Sequence, residues 1–137
     1  MDDAGPYPLR IVGRVASQLR RREDAPMQGG EGAPDAWIVF EDDVRDAAGD
    51  LTVGDDVLVL TWLHEADRTV QAVHPRDDLT VPERGVFSTR SADRPNPIGL
   101  HRVEVAEVDG RRIRVRSLEA IDGTPVVDVK PVLRGEA

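Results

Sequence analysis

The chain has 137 residues, 39% of them hydrophobic, with no cysteine and a formal charge of −8. That length suits one domain, residues 1–137, with a core of its own. The missing cysteines exclude a disulfide framework and any thiolate metal site. No apolar run approaches the ~18 residues of a membrane span, and the opening residues MDDAGPYPLR show neither the basic nor the apolar region of a signal peptide, so a soluble, cytoplasmic protein is expected.

In chain order the apolar runs read as strands. LRIVGRVA (9–16) is the first, AWIVF (36–40) the second, and DVLVLTWLH (56–64) is apolar enough to be a buried central strand. TVQAVH (69–74) follows. VEVAEV (103–108) and RIRVRSL (112–118) flank Asp109-Gly110, a strong hairpin signal. PVVDVK (125–130) closes the series. Between them lie three irregular stretches, 17–35, 75–84 and 88–98, and residues 43–53 suit a short helical turn. Long irregular loops in a compact chain tend to carry function. Short strands separated by turn signals predict an all-β fold, a compact small barrel of about six to seven strands with long functional loops.

Charge is distributed unevenly. Residues 1–83 carry a net −10, residues 84–116 a net +4 and residues 117–137 a net −2, with Lys130 the single lysine. A field this negative opposes nonspecific nucleic-acid binding, while the arginine-rich segment can form a local anion site if its charges face one way. Acid-rich, lysine-poor composition also suits a salty habitat or a biased base composition.

Familiar nucleotide signatures are missing. No strand is followed by G-x-G-x-x-G and a helix, there is no P-loop, and MQGGEG (27–32) matches neither spacing. His64, His74 and His101 form no helical i, i+4 pair, so no metal site is expected. No serine sits in a G-x-S-x-G elbow. His64, at the end of an apolar strand beside Trp62 and Glu65, reads either as a satisfied strand-end histidine or as a donor at a barrel rim. In RPNPIGL (94–100), two prolines fix φ on either side of Asn96 and bias their predecessors to extended backbone. The loop is therefore pre-organised, which lowers the cost of ordering it around a ligand. Arg90 and Arg94 are planar forks suited to carboxylate or phosphate, or else solvated side chains on a kinked connection. Asp122-Gly123-Thr124-Pro125 is a turn in its own right, leading to Asp128 and Lys130 on one face of the next strand.

GVFSTRSADRPNPIGL (85–100) and IDGTPVVDVKP (121–131) together resemble the TsaA-like, or TrmO, family, whose patterns read roughly GVFATRSPxRPNPIGL and LDxxDGTPVLDIKPY. Upstream, IVGRVAS (11–17), APMQGG (25–30) and VLVLTWLHE (57–65) look like the family's opening strand, its P-x-Q loop and its strand ending in W-x-H. The resemblance implies a compact β-barrel that binds S-adenosyl-L-methionine without a Rossmann fold, commonly as a homodimer. It implies transfer of a methyl group to N6 of threonylcarbamoyladenosine, beside the anticodon of tRNA. Carried over by motif, the cofactor would meet Pro26, Met27, Gln28, His64, Glu65, Arg90, Leu100, Asp122, Gly123, Thr124 and Pro125. Arg94, Asn96 and Lys130 match strongly patterned positions and are the catalytic candidates. The chain departs from the family pattern at Ser88, Glu119 and Val132, where Ala, Asp and Tyr are usual. It reads as a short form without the extra C-terminal domain of longer members. The acidity suits an alternative, a methyltransferase with a small-molecule acceptor; a further alternative, from another class, is a non-catalytic S-adenosyl-L-methionine-binding module.

Overall fold

The computed structural model describes residues 6–136; the first five residues of the opening segment lie outside the described residues. Six antiparallel strands close into a barrel in the order β1-β2-β7-β6-β3-β8. They are β1 (Gly13–Ala16), β2 (Ala36–Phe40), β3 (Asp56–Trp62), β6 (Ile98–Asp109), β7 (Arg112–Val115) and β8 (Pro125–Pro131). Pairing of β1 with β8, Gly13 opposite Val126, completes the ring, so the barrel has no free edge to template aggregation. A two-stranded ribbon, β4 (Ala72–Val73) with β5 (Arg84–Gly85), stands apart from it.

The core follows from strand alternation. Val15, Ile38, Phe40, Val57, Val59, Val103, Val105, Ile113, Val115 and Val126 point inward and are at most 5% exposed. Leu118 and Ala120 plug the barrel from the segment after β7. Because adjacent strands run antiparallel, the connections 17–35, 63–97 and 116–124 all leave from one end of the barrel. The short β6–β7 hairpin and the 41–55 connection lie at the other.

Four sequence expectations shift in detail. Asp109 pairs with Arg112, leaving Gly110-Arg111 as the two-residue loop with positive φ at Gly110 alone; this is the arrangement of a type II′ turn. β6 begins at Ile98, five residues before the predicted run. Its early segment hides from a hydrophobicity reading because the pattern is inverted: Ile98 and Leu100 face outward at 43% and 42% exposure, while Gly99 and His101 face in. Only glycine fits at 99, since a Cβ there would lie 2.3 Å from Thr61 Oγ1 and 2.7 Å from His101 Nε2. The predicted fourth strand shrinks to Ala72–Val73, and the helical turn in the 43–53 region appears as a 3-10 segment, Asp42–Ala48.

Candidate functional site

The three long connections enclose a cavity of about 970 Å³ at their end of the barrel. Of the residues carried over by motif, Pro26, Met27, Gln28, His64, Glu65, Arg90, Leu100 and Thr124 line it together, with Arg94 beside them. They come from four separate stretches of sequence, brought to one rim by the strand order.

The floor of the loop 84–97 is built by Arg94. Its Nε donates to Ser91 O at 2.8 Å, and its Nη2 donates to Val86 O and Thr89 O at 2.6 Å each. The guanidinium thus holds the loop's own carbonyls. Arg68 fastens the proline segment from outside, donating to Pro95 O at 2.7 Å and to Asn96 Oδ1 at 3.0 Å while stacking over Trp62. Asp93 Oδ1 accepts from Arg22 Nη2 at 2.7 Å and from Asp67 N–H at 2.8 Å. Pro97 is fully buried, and its carbonyl accepts from Leu63 N–H at 2.8 Å. Proline stiffness is thereby reinforced by hydrogen bonds to two neighbouring segments, so the rim is formed before any ligand arrives.

Above the loop, Arg90 is exposed and makes one contact, from Nη2 to Leu100 O at 3.2 Å. Arg84 also lines the cavity. Among the described residues neither has a carboxylate partner within ion-pair distance. Acidic groups line the cavity too, among them Glu65, 51% exposed, and Glu119, 15% exposed. Glu31 clamps the first connection to the second through Arg76, whose Nη1 donates to Glu31 Oε2 at 3.0 Å. That hydrogen bond holds the Glu31 carboxyl below the usual glutamate range.

The remaining motif residues lie outside this lining. Asp122 Oδ1 accepts from Ser17 N–H at 3.0 Å, and Gly123, at φ 83°, donates to Val15 O at 2.7 Å. Asp122 and Gly123 tie the turn to the end of β1, and buried Pro125 starts β8. Asn96 holds Arg68, and Lys130 Nζ pairs with Asp128 at 3.1 Å on the barrel wall. Sequence reading gave no role to the buried pair His101 and Glu119, joined Nδ1 to Oε1. The unusual inward histidine of β6 was the one signal that could have found it.

Among the described residues no three metal-binding side chains cluster, and no helix is long and apolar enough to cross a membrane.

The fold and site define a class: a small antiparallel barrel whose pre-formed loops build a polar and apolar ligand cavity at one rim. Residues 14–135 match the family described as the tRNA-methyltransferase O N-terminal domain, and the chain belongs to this TrmO family. It is 45% identical over 123 residues, 90% of this chain and 88% of the relative, to a probable S-adenosyl-L-methionine-binding protein of Methanothermobacter thermautotrophicus. It is 40% identical over 122 residues, 89% and 86% of the two chains, to an S-adenosyl-L-methionine-binding protein of Archaeoglobus fulgidus. A crystal structure of TrmO superposes with a TM-score of 0.75 at 26% identity, covering 93% of this chain and 58% of that one. TrmO from Pseudomonas aeruginosa, at 24% identity and a TM-score of 0.73 over 93% and 56% of the two chains, shares the fold. The chain therefore spans a little over half the length of these solved TrmO chains.

Proposed function

We propose that the chain is a cytoplasmic S-adenosyl-L-methionine-dependent methyltransferase that methylates N6 of threonylcarbamoyladenosine beside the anticodon of tRNA. The observation that carries this reading is the convergence of eight motif residues on one cavity. The cavity lies near the upper end of the ~300–1,000 Å³ usual for small-molecule sites. Its donor set fits the cofactor: arginines for a carboxylate, carboxylates for an amino group or ribose diol, and Met27, Leu63 and Leu100 for an apolar ring face. When bound, the cofactor supplies an electrophilic methyl group on a sulfonium.

The chain's own residues supply position and field. Arg90, not neutralised by a carboxylate, attracts an anionic group. Arg94 and the buried Pro97 keep the loop beneath it in shape. Leu63 and Leu100 exclude water from part of the wall. An acylated exocyclic nitrogen has a more acidic proton than an ordinary amine, so the chemistry places modest demands on a general base. The outward Ile98 and Leu100 lie opposite Trp62 and Leu60 on β3, an apolar stretch suited to a second copy of the chain; a homodimer is the expected assembly, checked by light scattering.

The decisive experiment incubates purified protein and cofactor with tRNA from a strain lacking this methylation. Digestion to nucleosides and mass spectrometry should show threonylcarbamoyladenosine gaining one methyl group. Absence of product from protein that binds the cofactor would remove the tRNA assignment. The acidic surface and the names of the relatives, binding proteins rather than transferases, favour a second reading: a small-molecule acceptor or a pure binder. Binding of tRNA should weaken steeply with salt, whereas a neutral small acceptor should be insensitive to it.

A further inference from the structure

The rim end of the barrel interior is polar. Thr61 is fully buried and His101 is 5% exposed, both pointing inward where β3 and β6 bury valines one layer deeper. His101 Nε2 lies 2.7 Å from Thr61 Oγ1, and its Nδ1 bonds Glu119 Oε1. One arrangement satisfies all three groups: Nδ1–H donates to the carboxylate, and Nε2 accepts the threonine hydroxyl hydrogen. A buried chain of this kind is costly unless every member is paired, and Gly99 supplies the room it needs. The chain ends at Glu119, whose other oxygen, Oε2, accepts no hydrogen bond among the described residues and lies 3.1 Å from where a Cβ on Gly29 would be.

Glu119 sits at a junction. Beside the main cavity is a second hollow of about 540 Å³, which extends over Arg102 and Arg116. Gln28, Arg90, Leu100, His101 and Glu119 line both. If the donor occupies one hollow and the acceptor the other, the group that passes between them must pass this shared wall.

We propose that Glu119, oriented by His101, is the residue that recognises the positive sulfonium of the methyl donor at the passage between the two hollows. This rests on the cofactor reading above. The donor carries a charge that its demethylated product, a neutral thioether, lacks. A fixed carboxylate therefore favours the one and releases the other. Other carboxylates at the cavity are poorer candidates: Asp93 is committed to Arg22 and the Asp67 amide, Asp77 is exposed, and the Glu23 and Glu65 side chains are 67% and 51% exposed, hence screened by water. Glu119, at 15%, is the least screened. His101 acts as a positioning residue.

Calorimetric titration of the full chain with S-adenosyl-L-methionine, S-adenosylhomocysteine and an analogue bearing a protonated amine at the sulfur position tests this. The unaltered chain should bind both cations more tightly than the thioether. Glu119→Gln should lose that preference by on the order of tenfold, and Glu119→Asp, which keeps the charge, should retain most of it, with thermal unfolding confirming that each variant folds. A chain that binds none of the three loses the cofactor reading and this assignment together. An unaltered chain without a preference for cations, or a preference unchanged in Glu119→Gln, overturns the assignment alone. If Glu119→Gln fails to fold, the smaller neutral variant Glu119→Ser takes its place, and a cation preference unchanged there overturns the assignment.

Discussion

The arginines of the barrel wall and those of the loop 84–97 make opposite use of one side chain. On the wall, Arg102 pairs with Asp56, Arg112 with Asp109, Arg114 with Asp35 and Glu107, and Arg116 with Glu104. Each charge is cancelled by a strand or loop neighbour, and Arg112 also stacks over Trp37. Along the loop, Arg84, Arg90 and Arg94 have no carboxylate within ion-pair distance among the described residues, and all three line the cavity. The positive stretch in the sequence is thus two populations. One is structural and electrically silent, and the other gives one side of the cavity a net positive wall. Local charge counts cannot separate them, because they do not show which acid meets which arginine: Asp109, Glu107 and Glu104 come from the same hairpin, but Asp56 and Asp35 come from distant segments.

The largest test of that contrast is Arg94→Ala. It removes three hydrogen bonds from a charged donor to loop carbonyls, each worth about 1.5–3 kcal/mol where nothing replaces it. After relaxation, stability should fall by about 2–3 kcal/mol in denaturant unfolding, with cofactor affinity lost as the rim loosens. Arg94→Lys should rescue little, because one ammonium cannot reach three carbonyls in the guanidinium's plane.

Arg90→Gln sharpens the contrast within the loop. Its exposed guanidinium holds a single carbonyl, so stability should move by less than about 0.5 kcal/mol. Calorimetry should show cofactor affinity falling ~10–100-fold, or about 1.4–2.8 kcal/mol. If affinity stays and stability falls, Arg90 belongs with the wall arginines.

Arg114→Ala examines the wall. This side chain, 31% exposed, bridges Asp35 and Glu107. Its loss should cost about 0.5–1 kcal/mol, the range of a partly exposed pair, and leave cofactor binding unchanged.

The smallest expected effect concerns acid. Glu31, held by Arg76, has its carboxyl below the usual glutamate range when folded. Its contribution is complete above the unfolded value and is lost as pH falls through the lowered folded value. Protection of the amides of 29–33, taken as exchange relative to the intrinsic rate at each pH, should therefore be lost at acid pH, and Arg76→Gln should move that loosening upward toward the ordinary glutamate range. An unchanged midpoint would show that the clamp is not what closes the first loop.

Much of the barrel was legible. β2 begins and ends where AWIVF does, and β7 and β8 start where predicted, because each is a short run rich in β-branched and apolar residues bounded by turn residues. β6 was cut short where Gly99 and His101 replace the expected inward hydrophobes. Of the site, the motif loops were legible as conserved-looking chemistry at fixed spacings. Their contacts were not: nothing near Asp122 in sequence shows that its carboxylate accepts from the Ser17 amide, 105 residues away.

By itself the sequence determined where the six barrel strands lie, though not all their bounds, together with the stiff proline loop, the hairpin and the family, because alternation, fixed φ and turn chemistry act over a few neighbouring residues. Only the tertiary structure decided which arginines face the cavity, that Arg94 holds its own loop, and that Thr61, His101 and Glu119 meet. Those outcomes depend on which strand closes against which, and barrel closure joins residues 40 and 18 positions apart through contacts of a few ångströms.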